Sequence, residues 1–169
     1  MSVAHAVSLE EYLHTTYRPD CDWVDGELRE RNVGQFDHAR LQTILAALLE
    51  LQSRKWRVII LVEQRLRIRS NRYRVPDLLV LPGDYDRSPI VSVAPLLCIE
   101  ILSPDDTIRE IVERSEDYLS LGAPQVWIFD PAKKRAYVSS ANGLHEADGS
   151  STLQCGLIEL SLPELFQQL

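Results

Sequence analysis

The sequence predicts a mixed α/β domain with a central β-sheet flanked by helices. Residues 78–81 and 96–102 are short apolar runs bounded by proline or glycine, which is typical of buried strands. Residues 37–54 instead repeat leucine and isoleucine at helical spacing, and Asp37 is a suitable N-cap for that helix. Because strands and helices are interspersed along all 169 residues, we expect one domain over residues 1–169.

The first elements of the chain are a short helix and a hairpin. Residues 8–11 have the serine and glutamate spacing of a capping box and predict a helix through Leu13. Residues 22–31 predict a hairpin that turns at Asp25-Gly26, because this dipeptide is the strongest short hairpin signal. This N-terminal hairpin precedes the long helix.

Three strands are predicted between the long helix and the second apolar run. Residues 58–62 are continuously apolar, and residues 73–81 predict a single strand. Residues 65–69 alternate strictly between arginine and aliphatic residues, so they predict a half-buried strand with its arginines on one face. These arginines are Arg65, Arg67 and Arg69, and the strip they form is extended by Arg72 and Arg74.

The second half of the chain predicts a helix followed by a β-rich tail. Pro104 suits the first turn of a helix that ends at Gly122. The remaining predicted elements are strands over residues 125–129, 136–139, 144–147 and 153–156, and a helix over residues 162–169.

The composition narrows the functional classes. The formal net charge of −7 argues against extensive contact with nucleic acid, although five arginines cluster between residues 65 and 74. The three cysteines have unrelated spacings that match neither a disulfide framework nor a zinc site. No apolar run is long enough to span a bilayer, and the N-terminus lacks the apolar region of a signal peptide, so we expect a cytoplasmic protein.

Two carboxylates interrupt the apolar pattern of the predicted buried strands. Asp77 precedes the run at residues 78–81, and Glu100 lies inside the run at residues 96–102. A buried carboxylate costs several kcal/mol unless it is paired, hydrogen-bonded or bound to a cation. Oxygen ligands of this kind suit Mg²⁺ or Mn²⁺, so one hypothesis is a divalent metal site. The alternative is that both acids pair with nearby arginines.

A set of residues in fixed order resembles the Uma-two family of the PD-(D/E)XK nuclease superfamily. The matching residues are Asp22, Asp25-Gly26-Glu27, His38, Glu63, Pro76-Asp77, the Ile99-Glu100-Ile101-Leu102-Ser103-Pro104 segment, Tyr118 with Gly122, and Trp127-Ile128-Phe129-Asp130-Pro131. They extend over most of the chain. The resemblance implies a restriction-endonuclease-like core, to which the N-terminal hairpin and the β-rich tail are additions.

The resemblance also implies a catalytic site. A divalent metal would be held by Asp77, Glu100 and the carbonyl of Ile101, where it would lower the pKa of a bound water. The superfamily normally has a lysine two residues after the second acid, but this chain has Leu102 there. In the Uma-two family that this chain resembles, the lysine looks to have moved to the following helix, and the matching residue here is Arg114. Arginine keeps the positive charge but cannot act as a base.

Further acidic and basic residues are secondary candidates, each with a structural alternative. Glu27 and Glu63 would add to the acidic cluster, or lie in solvent and pair with arginines. His38 would contact phosphate or donate a proton, or be structural. Glu110 lies one turn before Arg114, with which it could form a simple i,i+4 ion pair. The Arg65, Arg67 and Arg69 strip would follow a phosphate backbone, or be a solvated strand face.

Three functions therefore remain open from the sequence. The first is a Mg²⁺- or Mn²⁺-dependent endonuclease that hydrolyses DNA. The second is a non-catalytic interaction or DNA-binding protein on a degenerate nuclease fold. The third is metal-dependent hydrolysis of a smaller phosphoester. By analogy with nucleases that cut both strands, we also expect a homodimer.

Overall fold

A computed structural model describes residues 5–32 and 35–169 of the chain. In its N-terminal part the elements are β1 (His5–Ala6), α1 (Leu9–His14), β2 (Asp22–Val24), β3 (Glu27–Arg29), α2 (Phe36–Trp56), β4 (Val58–Val62), β5 (Leu66–Arg69), β6 (Arg72–Arg74) and β7 (Leu78–Pro82). They are followed by β8 (Leu97–Ile101), α3 (Ile108–Leu121), β9 (Gln125–Asp130), β10 (Arg135–Ser140), β11 (Gly143–Glu146), β12 (Thr152–Cys155), β13 (Ile158–Ser161) and α4 (Leu162–Gln167).

The strands form three sheets. The central sheet has six strands in the order β11-β10-β9-β8-β7-β4. Within it, β8 and β9 run parallel and the other neighbours are antiparallel, so the predicted mixed sheet is confirmed. A second sheet has the order β1-β3-β2-β6-β5 and contains the predicted N-terminal hairpin, and β12 pairs with β13. The short strands β1 and β13 were not predicted.

Helices cover both faces of the central sheet because its strands alternate two sets of apolar side chains. In β8, Leu97 and Ile99 belong to the core that includes Leu45 of α2, together with side chains of β13 and α4. Cys98 points to the opposite core, which includes Tyr118 of α3. None of the helices in the described part of the chain combines the length and apolar character needed to cross a bilayer.

The single strand predicted over residues 73–81 is wrong, because the chain changes sheets in the middle of it. β6 pairs with β2 and β5, whereas β7 pairs with β4 and β8. Pro76 lies between the two strands and has no N–H to donate to a ladder. The N–H of Val75 leaves the strand pattern as well and donates to the Asp22 carboxylate at 2.8 Å. The crossover places Asp77 at the start of the central sheet.

Two predicted helix starts are also wrong. α2 has Gln35 as its N-cap without a side-chain cap, and Asp37 lies inside the first turn. α3 begins after Thr107, whose hydroxyl accepts the Glu110 N–H while the Glu110 carboxylate accepts the Thr107 N–H. This reciprocal capping box defines the helix start, so Pro104 lies before the helix instead of in its first turn.

Candidate functional site

Asp77 and Glu100 lie side by side at one end of the central sheet. β7 and β8 pair Leu78 with Ile99, and the same antiparallel register extended by one residue sets Asp77 opposite Glu100. The N–H of Ile101 donates to Asp77 Oδ2 at 2.7 Å, which fixes this end of the ladder. Asp77 is 1% exposed and Glu100 is 0% exposed. The structure therefore brings the two predicted acids together inside the protein.

Asp77 is surrounded by positive and donor groups. Its Oδ1 accepts a hydrogen bond from Arg31 Nη2. Its Oδ2 lies 3.4 Å from His38 Nε2 and also accepts the Ile101 N–H. Burial raises the pKa of Asp77, but Arg31 and then His38 outweigh burial and leave it below its ordinary value. Asp77 is consequently ionised at neutral pH.

Glu100 has a different environment from that of Asp77. Its Oε1 accepts a hydrogen bond from the Tyr118 hydroxyl at 2.5 Å. Its Oε2 lies 3.2 Å from Arg114 Nη1, within ion-pair distance, but no group in the described part of the chain donates to it with hydrogen-bond geometry. Burial raises the pKa of Glu100 to about 7, with Arg114 opposing the rise and the charge on Asp77 adding to it.

Arg114 is held beside Glu100 by residues outside the sheet. Its Nη2 donates to Asp106 Oδ1 at 2.8 Å, and its side chain is only 12% exposed. Asn32 Nδ2 donates to the same Asp106 oxygen at 3.1 Å. The i,i+4 pair with Glu110 that we considered is not formed, because the Glu110 carboxylate accepts from Thr107. Arg114 is therefore part of the acid cluster and does not lie on a solvated helix face.

The donor set is compatible with a divalent cation that uses carboxylate oxygens. Within residues 5–32 and 35–169, no three or more side chains of His, Cys, Asp and Glu are arranged to hold a metal. The side-chain ligands would thus be Asp77 and Glu100. Glu100 Oε2 is buried without a hydrogen-bond donor, and an orphaned carboxylate oxygen of this kind is a fitting ligand for Mg²⁺ or Mn²⁺. The carbonyl of Ile101 stays a predicted third ligand.

The secondary acidic candidates lie in three different places. Glu63 is nearest the site: its N–H donates to the Asp77 carbonyl at 3.2 Å, and Gln42 Nε2 lies 3.3 Å from both Glu63 Oε1 and that carbonyl. Its side chain is exposed. Glu27 is exposed at the start of β3, where it pairs with Ala6. Glu110 caps α3.

The predicted arginine strip is only partly on the surface. Arg65 donates to both oxygens of Asp20, at 2.7 and 2.6 Å, and its guanidinium lies 4.2 Å from the ring centroid of Tyr12. Its role in the structure is to join α1 to the chain before β5. Arg67 and Arg69 are exposed on β5 and are the members of the strip that solvent reaches.

Arg74 does not extend the strip, because it is 2% exposed. Its three nitrogens donate to three carboxylates: Asp117 Oδ2 at 2.7 Å, Asp22 Oδ2 at 2.8 Å and Glu113 Oε1 at 2.9 Å. Arg72 also donates to Asp117, at 2.9 Å. This ionic cluster joins the five-stranded sheet to α3.

Sequence reasoning missed Arg31, which is the direct partner of Asp77. Arg31 is the last residue of the predicted hairpin and is 46 positions from Asp77, so no local pattern pairs them. The available signal was that a buried acid needs a positively charged partner. The chain has 15 arginines, and the sequence does not indicate which of them is that partner. A cleft of about 530 Å³ opens beside this contact, and its arginines are Arg29, Arg31, Arg74 and Arg114.

Comparisons with known proteins identify the family of the chain and its fold. Residues 9–167 match the family Uma2, whose description is "Putative restriction endonuclease". A search of curated proteins finds no match. A crystal structure of a putative nuclease belonging to DUF820 from Anabaena variabilis ATCC 29413 is similar over 96% of this chain and 98% of that one, with a TM-score of 0.83 and 20% identity. A cryo-EM structure of a DrdV–DNA complex aligns with 72% of this chain but 10% of its own, with a TM-score of 0.42 and 9% identity. The DUF820 structure confirms the nuclease-like fold.

Proposed function

This chain belongs to the Uma2 family, and on that basis we propose that it is a Mg²⁺- or Mn²⁺-dependent endonuclease that hydrolyses phosphodiester bonds in DNA. The observation that carries the proposal is the pair of buried carboxylates on neighbouring strands, one of which has an oxygen without a hydrogen-bond donor. An aspartate and a glutamate facing one another inside a sheet repel, and a divalent cation between them removes that repulsion. Such a cation, when bound, would lower the pKa of a water molecule, so that the water can lose a proton to solvent near neutral pH and then attack a phosphodiester.

The residues around the acids have distinct roles in this proposal. Asp77 and Glu100 hold the cation, and the Tyr118 hydroxyl keeps the Glu100 carboxylate in one orientation. Arg114 stays protonated beside Glu100, so it stabilises negative charge on a phosphate and does not remove a proton.

We propose that His38, whose Nε2 lies 3.4 Å from Asp77 Oδ2, is the proton donor of the reaction. Burial lowers the pKa of His38, but its hydrogen bond to Asp77 and the Asp77 charge outweigh burial and raise it. This direction of shift holds for the metal-free protein. In the proposed reaction the protonated His38 ring donates its proton to the departing oxygen of the phosphodiester.

DNA binding in this proposal uses exposed arginines. Arg67 and Arg69 on β5 are accessible, and we propose that they contact the phosphate backbone. Substituting both with glutamine should weaken DNA binding and reduce its salt dependence, without changing Mn²⁺ binding. Light scattering on the purified protein would test the proposed homodimer.

The test of the proposal is a calorimetric titration of Mn²⁺, followed by cleavage of plasmid DNA with and without a chelator. Asp77→Asn and Glu100→Gln should abolish binding and cleavage together. Glu27→Gln removes an exposed carboxylate from β3 and should leave both unchanged. Arg114→Lys restores the lysine implied by the family resemblance and should retain cleavage. A folded wild-type protein that binds no Mn²⁺, either alone or with DNA present, would exclude this function.

A second candidate function is a non-catalytic interaction protein on the same fold. The observation in its favour is that each carboxylate has an arginine within ion-pair distance, Arg31 for Asp77 and Arg114 for Glu100. Under this hypothesis, Asp77→Asn lowers stability and leaves DNA binding unchanged. Hydrolysis of a small phosphodiester without cleavage of DNA would instead indicate the smaller substrate class.

A further inference from the structure

Arg31 is a buried charge at the candidate site to which the proposed reaction assigns no role. Its Nη2 donates to Asp77 Oδ1, and its side chain is 10% exposed. It comes from the segment after β3, whereas Glu100 lies in β8 and Asp77 directly precedes β7. The arginine that pairs with Asp77 therefore comes from outside the central sheet.

The two oxygens of Asp77 are occupied in different ways. Oδ2 accepts the Ile101 N–H at 2.7 Å and lies 3.4 Å from His38 Nε2. Oδ1 is thus the oxygen through which an added cation would bind Asp77, and it is the atom that Arg31 holds. A guanidinium and a divalent cation repel one another strongly at contact distance inside a protein, so they do not share this oxygen.

We propose that Arg31 is an internal competitor of the divalent cation: it holds Asp77 Oδ1 in the metal-free protein, and a cation binds only as Arg31 leaves. This inference rests on the proposed metal-dependent function, because it concerns the same carboxylates. It gives Arg31 the role of a positioning residue whose release accompanies loading of the site.

The release of Arg31 would also change the surroundings of Glu100, because Asp106 connects the segment of Arg31 to Arg114. Asn32, the neighbour of Arg31 in the chain, donates to Asp106 Oδ1, which also accepts from Arg114. A displacement of the segment that carries Arg31 therefore disturbs the support of Arg114. Arg31 also lines the cleft of about 530 Å³ beside the site. Once released from Asp77, its guanidinium is placed to bind a phosphate oxygen there.

The first test compares Mn²⁺ affinity by calorimetry in the wild type, Arg31→Gln and Arg31→Lys. Arg31→Gln should bind about tenfold more tightly or better, because the competing charge is gone, while Arg31→Lys keeps the charge and should stay near the wild type. Arg29→Gln is the matched control: Arg29 lines the same cleft but pairs with Glu113, at 2.8 Å. Its affinity should equal that of the wild type.

The second test follows Arg31 of the wild-type protein by NMR during metal binding, and it needs a variant only to assign the resonance. The Nε–H of Arg31 is buried without a hydrogen-bond acceptor in the described structure, and its resonance is identified by its loss in Arg31→Lys. Titration with Mg²⁺ should shift this resonance in step with calorimetric binding. The Arg29 resonance should remain in place.

The outcomes separate this inference from the proposed function. Tighter Mn²⁺ binding by Arg31→Gln than by the wild type supports the competition, including the case in which only the variant binds. Equal or weaker binding by a folded Arg31→Gln overturns it while the nuclease proposal stands. An Arg31 resonance that is indifferent to bound Mg²⁺ does the same. If neither protein binds a divalent cation, both proposals are overturned.

Discussion

Substitution of Arg74 with methionine tests how the chain positions Asp77. Methionine has a similar length but no charge, so the three carboxylates that contact Arg74 lose a shared cation. Asp117 keeps its bond to Arg72, whereas Asp22 keeps only the N–H of Val75, at 2.8 Å. Loss of the charge therefore weakens the crossover that leads directly into Asp77.

The expected loss of stability follows from the burial of the cluster. Removal of one partner of a buried ion pair costs about 3–5 kcal/mol, because the remaining charge is uncompensated. Arg74 is 2% exposed and Asp22 is 4% exposed, so solvent screens this interaction little. We expect Arg74→Met to lower the free energy of unfolding by about 4 kcal/mol and the melting temperature by about 10 °C.

Urea unfolding at pH 7 measures this difference, with Arg67→Met as the control. Arg67 is an exposed arginine on β5, so its substitution should change the free energy of unfolding by less than about 0.5 kcal/mol. A loss below about 1 kcal/mol for Arg74→Met would refute the argument that buried charge pairing joins the two layers.

The pH dependence of the same difference is a second check. Burial raises the pKa of Glu113, but Arg74 and Arg29 outweigh it, so the native pKa lies below the ordinary 4.5. A lowered native pKa contributes stability above the unfolded value that is lost as the pH falls through the native value. The gap in stability between the wild type and Arg74→Met should therefore narrow in acid.

Three further predictions concern the acid site and a close backbone approach. Tyr118→Phe leaves Glu100 Oε1 without its 2.5 Å hydrogen bond and should lower the free energy of urea unfolding by about 1–3 kcal/mol. The change in the free energy of unfolding caused by Glu100→Gln should be more favourable at about pH 8 than at about pH 5. The native pKa of about 7 exceeds the ordinary 4.5, so ionisation of Glu100 lowers the free energy of unfolding of the wild type as the pH rises between these two values, and no further above them. Equal effects of the substitution at both pH values would contradict this. Gly83→Ala would place a Cβ atom 2.7 Å from the Arg57 carbonyl oxygen and should lower the melting temperature by several degrees, whereas Gly149→Ala has open space and should not.

The sequence predicts the acids of the site because they violate a local rule. Asp77 directly precedes one apolar run and Glu100 lies inside another, and carboxylates at such positions are visible without knowledge of the fold. Their position opposite one another follows from the antiparallel pairing of β7 with β8. The hairpin at Asp25-Gly26 was predictable for the same reason, since turn chemistry is local.

The family resemblance pointed to Arg114, but the ion pairs of the arginines were not predictable from local sequence patterns. Arg31, Arg74 and Arg114 each pair with acids that are distant in sequence, and such pairings depend on how the layers pack. The alternation around Arg65 correctly predicted a half-buried strand, but it did not indicate that Asp20 and Tyr12 would engage this arginine. The strand over residues 73–81 was overextended because periodicity does not show a change of sheet.

The carboxylates and their counter-ions have separate structural origins, and this separation has a consequence for how the site can change. The sheet fixes where Asp77 and Glu100 stand, while the segment after β3 and the helix α3 bring Arg31 and Arg114. Substitutions in those outer segments can retune the charge of the pair without disturbing the register of the strands. Proteins that share this sheet can therefore differ in the charge around the two acids, and so in their affinity for a cation, while the fold stays the same.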